Sequence, residues 1–431
     1  MSITICDSCN KKNKKKQNNT NLENDNKGII HNNSGSGIIN INEKGNLKDI
    51  EKKNNEDNNI IQNIIVNQAK EINGTIGLIN LGFTCYFNSA IQNLKNVYPL
   101  TLYILKNYKT FKESKSRFFL NYCKLIGNLI NQNTLDYFVP NELFSNLQEL
   151  NPSFRIGEQN DSSICIMNIL KYLEKETIKS GEPTPEIIES LEEDDKMKFK
   201  NYINKYYSKK NSYILDYFYG FQQDIYECRL CKYKNNNSFQ GFIVLNLPIV
   251  TSQNNHIINL ETLKVAIDHY QYGRLHKNEE GFDCPKCKNR DIMTKSTIIS
   301  YPKILIINFK RVGEQYFYNH NLEIPFELNV DKYKYELIGF IKHFGGAKSG
   351  HNIAICKNFF DNKWYEYDDH EVKNIKNKYY NKKKDEPNTA NGFLFFYKKT
   401  GILETTETED EKNNIIQASL YIRNNNIFNN Y

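Results

Sequence analysis

Two CxxC pairs constrain this chain more than any other feature: Cys228-Arg229-Leu230-Cys231 and Cys284-Pro285-Lys286-Cys287. A CxxC segment forms a knuckle that aims two thiolates at one tetrahedral Zn²⁺, and two knuckles complete a structural site. The 52 residues between the pairs must then leave one point and return to it, which implies an inserted hairpin. Two unrelated turns are the plain alternative, and redox chemistry suits four thiolates in two matched knuckles less well than a metal does. The chain has ten cysteines and no apolar leader segment, so a reducing compartment, cytoplasmic or nuclear, is expected, with ligands, nucleophiles and buried thiols in place of disulfides. Cys6 and Cys9 form a lone pair in a polar arm, without an expected structural role. Cys123, Cys165 and Cys356 sit in apolar periodic segments and are expected in the core.

Composition divides the chain. Residues 1–73 are Asn- and Lys-rich with few aromatics; too little surface is available there to offset chain entropy, so disorder is expected. The run Lys11 to Lys16 is expected to be a solvated segment, with a nuclear-import patch as the alternative. From Ile76 to about 400 the chain is aromatic and patterned, with most of its 29 Tyr and 25 Phe, and is expected to fold as one unit. Residues 401–431 form a polar tail with a short helix expected over Ile415–Ile422. No run of about 18 apolar residues occurs, so no membrane-spanning helix is expected. The net charge of +7 is modest and spread along the chain, so nucleic-acid binding is not expected.

Within the folded unit, SAIQNL, FFLNYCKLIGNLI, SICIMNILKYL and PEIIESL repeat apolar residues at three- and four-residue intervals, as helices do. The charged stretch around 188–201 is expected to be an exposed insertion. GFIVLNLPIV, STIISYPKILIINFKR, YELIGFIKHF, HNIAICKN, NKWYEYDD and FLFFYKK are β-branched and aromatic, as strands are. Helices first and strands later predict an α+β fold.

Cys85 follows Gly82-Phe83-Thr84 and precedes a helical stretch from Asn88 to Leu94. A cysteine at a helix start meets the positive end of the dipole, which favours thiolate, and unpaired N–H groups that can receive an oxyanion. A single cysteine is more often a small buried hydrophobe. An acyl-transferring thiolate also needs a base and a group to orient that base. His351 ends the glycine-rich run Gly345 to Gly350, and Asp368 and Asp369 end the WYEYDD segment. A hairpin of HNIAICKN with KWYEYDD would bring His351 and Asp368 together at one end of a sheet.

These segments, in this order, resemble the ubiquitin-specific protease family of cysteine deubiquitinases. GLINLGFTCYFNSAIQNL is similar to the family's Cys box and SGHNIAICKN with DNKWYEYDD to its His box. The resemblance implies Cys85 as nucleophile, His351 as base, Asp368 as the orienting acid, Asn80 as an oxyanion donor and Asp369 as a second acid beside the triad. Gln159 and Asp161, in GEQND, match a box lining the cleft for the ubiquitin tail. Cys228, Cys231, Cys284 and Cys287 match the single structural zinc site of the fingers. The implied fold is a papain-like hand with a helical thumb at about 76–215, zinc-ribbon fingers at about 216–300 and a β palm at about 301–400. The implied activity is hydrolysis after the C-terminal glycine of ubiquitin, by a monomer acting on ubiquitinated proteins.

Three positions depart from the family pattern. Phe83 brings bulk two residues before the nucleophile, where it is expected to alter the cleft wall. Asn352 replaces an aromatic after the His. Ile164 replaces a glutamate that, with Asp161, would pair with basic residues of the ubiquitin tail; a desolvated carboxylate there is worth about 1–3 kcal/mol. Phe83 and Ile164 motivate the alternative of a slow or inactive ubiquitin-binding scaffold with the same fold.

Overall fold

The computed structural model describes residues 74–111, 116–130, 137–253, 256–277, 281–311, 320–346, 349–375 and 387–400. The N-terminal arm with its lysine run and Cys6/Cys9 pair, and the tail with its expected helix, lie outside the described residues.

After a two-residue strand β1 (Gly77–Leu78), helices dominate the first half: α1 (Cys85–Asn96), α2 (Tyr98–Phe111), α3 (Arg117–Ile130), α4 (Asn141–Leu150), α5 (Ser162–Glu176), α6 (Glu193–Tyr206) and α7 (Tyr213–Phe218). Only the short β2 (Tyr137–Phe138) interrupts them, pairing parallel to β1. From Gly220 onward strands take over: β3 (Gly220–Cys228), β4 (Lys234–Phe242), β5 (Val244–Leu247), β6 (Val250–Gln253) and β7 (His256–Asn259), then helix α8 (Leu263–Tyr272). They continue with β8 (Arg274–Lys277), β9 (Asp291–Ser300), β10 (Ile304–Phe309), β11 (Glu327–Val330) and β12 (Tyr333–Gly345). The last are β13 (Gly350–Lys357), β14 (Trp364–Asp368), β15 (Glu371–Asn374) and β16 (Gly392–Lys399). The fold is α+β, helices before strands, as the sequence pattern predicts.

One sheet runs β15-β14-β13-β12-β16-β10-β5, with β11 beside β12. Both of its faces are covered. Ile304 and Ile306 of β10 pack with the helices, whereas Leu305, Ile307 and Phe309 pack into a second core on the other side. That is why ILIINF is a continuous apolar run with all six residues buried, and why it lacks the alternation of a half-solvated strand. A second sheet, β4-β3-β9-β8, projects from it and carries the cysteine knuckles at its far end.

Two expectations need correction. PEIIESL (185–191) is not a helix: its residues run as irregular chain and a turn beside β9, where the Ile188 N–H donates to the Ile299 carbonyl at 2.9 Å. Ile188 and Leu191 are buried against the second core, so the apolar spacing is real but is satisfied without a helix; Pro183 and Pro185 bias Glu182 and Thr184 before them toward extended backbone. The charged stretch after it is not merely an exposed insertion. It forms α6, whose Phe199 is fully buried with its ring 5.3 Å from that of Phe221 and 5.6 Å from that of Phe239.

Candidate active site

Helix α1 begins at Cys85 itself, three residues earlier than the sequence pattern indicates. Thr84 precedes it but does not cap it. The Thr84 hydroxyl accepts from the Leu81 N–H at 2.8 Å, and its own proton faces Asn80 Oδ1 at 3.3 Å. The first-turn N–H groups of α1 therefore have no side-chain cap, which leaves orphan donors at the residue that carries the thiol. The loop before the helix is held by Asn80, whose Oδ1 accepts from the N–H groups of Gly82 and Thr84, each at 3.0 Å. Gly82 (φ 106) and Phe83 (φ 57) take left-handed conformations there. Phe83 is 57% exposed and is not among the residues that line the cleft beside Cys85.

The expected hairpin forms. β13 and β14 pair antiparallel, with Ala354 opposite Tyr367, and His351 and Asp368 lie at the same end. His351 Nε2 is 2.6 Å from Asp368 Oδ1. With Nε2 taken, Nδ1 is the ring nitrogen left to face the Cys85 thiol. Interaction with the Cys85 thiol and then with Asp368 outweighs partial burial and raises the His351 pKa from 6.5 to about 9. Asp369, at the turn after β14 with φ 52, points elsewhere. Its Oδ2 accepts from Asn80 Nδ2 and its Oδ1 from Asn88 Nδ2, both at 2.8 Å. Its carbonyl accepts from the Leu78 N–H at 2.8 Å. The five residues Cys85, His351, Asp368, Asn80 and Asp369 thus converge at the start of α1.

A cleft of about 390 Å³ opens beside Cys85, lined among others by Gln159, Asp161, Asn308, Lys310, Arg311 and Phe393. Gln159 gives both ends of its amide to one backbone unit, donating to Gly350 O at 2.6 Å and accepting from Gly350 N at 3.1 Å. Asp161 caps α5, its Oδ1 accepting from the N–H groups of Ser163 and Ile164. Ile164 itself is 42% exposed and does not line the cleft.

Far from the cleft, Cys228, Cys231, Cys284 and Cys287 come together with their sulfurs all within 4.8 Å of one another. Across the two knuckles, Cys228 faces Cys287 at 3.6 Å and Cys231 faces Cys284 at 3.5 Å. Zn–S bonds of about 2.3 Å in a tetrahedron place sulfurs at about this spacing, so the donor set fits zinc. The knuckles match: Lys232 and Lys288, each just after the second cysteine, both take left-handed φ and donate back to the first cysteine's carbonyl. Burial alone would raise the Cys284 thiol, but the N–H groups of Cys287 and Lys286 and the neighbouring thiols prevail and pull it down to about 6. Among the described residues, the other three cysteines are inert by contrast. Burial pushes Cys123 and Cys165 far up and Cys356 up to about 12.

Residues 76–397 match the pattern of the family described as Ubiquitin carboxyl-terminal hydrolase. The chain belongs to the ubiquitin carboxyl-terminal hydrolase family. Among similar proteins, Ubiquitin carboxyl-terminal hydrolase Usp2 of Drosophila melanogaster is 27% identical over 319 residues, covering 69% of this chain and 33% of that protein. Ubiquitin carboxyl-terminal hydrolase 2 of Rattus norvegicus is 24% identical over 351 residues, 76% of this chain and 54% of that one. The chain thus spans a third to about half the length of these relatives. Among solved structures, the SAGA Ubp8/Sgf11/Sus1/Sgf73 DUB module bound to ubiquitin aldehyde matches with a TM-score of 0.56 at 19% identity, over 76% of this chain and 70% of that one. That likeness identifies the fold as the hydrolase family's own, with its helical, palm and finger parts.

Sequence reasoning missed Asn88, Ser162 and the use made of Asn352. All three are polar and at least nine-tenths buried. The signal was present in α1, where Asn88, Ser89, Gln92 and Asn93 crowd a segment otherwise made of core residues.

Proposed function

We propose that this chain is a thiol-dependent deubiquitinase cleaving the isopeptide or peptide bond after the C-terminal glycine of ubiquitin. The observation that carries the reading is His351 held at 2.6 Å from Asp368 and acting on Cys85, which stands at the uncapped start of α1 beside a cleft. His351 takes the Cys85 proton, and the thiolate attacks the glycine carbonyl carbon. The developing oxyanion meets the second N–H of Asn80, whose first is held by Asp369, and the free N–H groups of α1. One such donor is worth about 10²–10³ in rate in comparable sites. His351, now protonated, delivers its proton to the leaving amine; water then resolves the thioester with His351 as base. Asp368 keeps the imidazole in the tautomer this needs.

In this reading the helices form the thumb, the large sheet the palm and the second sheet the fingers, and the chain works as a monomer on ubiquitinated proteins. Gln159 and Asp161 border the path of the ubiquitin tail. One zinc ion on Cys228, Cys231, Cys284 and Cys287 ties the finger tip, supplying folding energy and no chemistry. A nucleophilic thiol and a thiolate metal site both call for reduced sulfur, hence the cytoplasm or nucleus. The solved neighbour's complex with ubiquitin aldehyde supports ubiquitin as the partner. The test is ubiquitin bearing a C-terminal thiol-reactive electrophile. A covalent adduct with the wild type and none with Cys85→Ala is expected; no adduct from folded wild-type protein would overturn the reading, in favour of a different modifier or of a non-catalytic scaffold.

A further inference from the structure

His351 stands between two residues that are both fastened to the segment opening α5. On one side, Gly350 exchanges two hydrogen bonds with the Gln159 side chain. On the other, Asn352 Nδ2 donates to Ser162 Oγ at 3.1 Å. Ser162 Oγ donates onward to the carbonyl of Tyr86 at 3.1 Å, and Tyr86 is the neighbour of Cys85 in the first turn of α1. The Oδ1 of Asn352 faces His343 Nδ1 at 2.8 Å. Ser162 is fully buried and Asn352 is 7% exposed, so the bonds from Asn352 to Ser162 and from Ser162 to Tyr86 are shielded from solvent. The donors and acceptors run in one direction, from β12 through β13 and α5 to α1, and the path joins the residue after the base to the residue after the nucleophile.

We propose that Asn352 and Ser162 are positioning residues: a buried relay that sets the spacing of His351 against Cys85 before any substrate arrives. Neither touches the reacting atoms. Each fixes a backbone that carries one: Asn352 the strand of the base, Ser162 the first turn of the nucleophile's helix. Two other features make the relay necessary. Helix α1 packs directly on β13, but apolar packing has no direction and by itself does not hold a side chain to a fraction of an ångström. The Gln159 bonds also lie at an exposed surface, where water competes with them. A thiol and an imidazole drifting apart by about 1 Å lose on the order of 100-fold in rate.

The proposal rests on the thiol-protease reading, but its test does not require ubiquitin. Ser162→Ala removes the middle of the relay and leaves the amide of Asn352 without its acceptor. The pH dependence of Cys85 alkylation by iodoacetamide reports how well His351 holds the thiolate. The expected result for Ser162→Ala is loss of the neutral-pH plateau of rapid alkylation, an onset moved at least one pH unit upward, and a fall in kcat of about 10- to 100-fold on a fluorogenic ubiquitin amide with little change in KM. Ser162→Thr, which keeps the hydroxyl, is expected to restore both. Ser162→Cys, nearly isosteric with a weak donor, is expected to fall between them, and it is the variant to use if alanine lowers the thermal midpoint. An unchanged alkylation profile in a folded Ser162→Ala or Ser162→Cys protein would overturn the proposal. A wild type that alkylates rapidly at neutral pH yet ignores ubiquitin would overturn only the choice of substrate.

Discussion

Asp369 touches no substrate in the reading above, yet its loss should be felt in catalysis through Asn80. The Asn80 amide cannot turn over, because its oxygen accepts from the N–H groups of Gly82 and Thr84. Its Nδ2 is therefore fixed toward Asp369 Oδ2 at 2.8 Å, and only the second hydrogen is free for an oxyanion. Asn80→Ala removes that donor and should lower kcat by about 10²–10³. Asp369→Ala leaves the donor present but unheld, so its loss should approach, and not exceed, that of Asn80→Ala. The double variant should be no worse than Asn80→Ala alone, because the two residues act as one unit. Stability separates them. Asp369→Ala also takes from the buried Asn88 its carboxylate acceptor at 2.8 Å, leaving it only the longer bonds to Leu78 O and Ile79 O at 3.3 Å, and should cost about 1.5–3 kcal/mol, whereas Asn80→Ala costs the loop its acceptor for Gly82 and Thr84. The assay is kcat and KM on a fluorogenic ubiquitin amide, with urea melts of the same preparations. Losses that multiply in the double variant would give Asp369 an independent role and refute the reasoning; an unchanged kcat in Asn80→Ala would remove Asn80 from the oxyanion site.

Three further outcomes are expected. His351 has its pKa raised from 6.5 to about 9 by Cys85 and then Asp368, so the stabilisation from its protonated form is complete below pH 6.5 and is lost as pH rises through about 9. The alkaline limb of kcat/KM should fall there, and Asp368→Asn should move it to lower pH; a limb left in place would separate Asp368 from the histidine. Stripping zinc with a strong chelator, or Cys228→Ser, should raise hydrogen exchange across β3, β4 and β9 while Cys85 alkylation persists, with one zinc per chain by elemental analysis of the untreated protein. Full protection without metal would end the structural role. Gly77→Ala would place a methyl 2.2 Å from the carbonyl oxygen of His370, forcing the Asp369 turn away from β1. A loss of about 1–3 kcal/mol with a fall in kcat should follow, read by urea melt and turnover.

How much of this was legible in the sequence depended on whether the chemistry had a local pattern. The cysteine knuckles are short-range motifs, and HNIAICKN and KWYEYDD are β-branched and aromatic enough to be read as neighbouring strands, whose hairpin brings His351 to Asp368. β4 was not legible. KNNNSFQGF is an edge strand, mostly exposed, bonded on one side to β3, so it has no buried face to impose alternation. PEIIESL misled for the opposite reason: its apolar residues are buried, but by an irregular segment, and spacing alone does not distinguish the two. Asn88 at least stands in a conspicuous polar cluster within α1, but Ser162 and Asn352 could not be recovered from polarity, because a buried polar group in a network and a solvated one have the same letter.

The polar content of α1 explains how the site holds its shape. All twelve residues of the helix are buried, six of them polar: Asn88, Ser89, Gln92, Asn93, Lys95 and Asn96. Burying so many unpaired groups would be prohibitive, yet their donors reach outward to chain that flanks the site. Gln92 donates to Ile76 O at 2.9 Å, and Lys95 Nζ donates to Gly74 O at 2.5 Å and to Tyr367 Oη at 3.2 Å. Burial without a carboxylate partner draws the Lys95 pKa down to about 7. These bonds fix the segment that pairs with the Asp369 turn and the strand that ends in Asp368. An apolar α1 would pack as well, but dispersion has no direction and would leave rotation and register of the helix loosely set. Directional bonds to Gly74, Ile76 and Tyr367 specify one register, and with it the place of Cys85 relative to Asp368. The polar core of this helix therefore serves the alignment of the site at the expense of some burial energy, and Gln92→Leu, which takes the donor from Ile76 O and an acceptor from Lys95 Nζ, should lower both the urea midpoint and turnover.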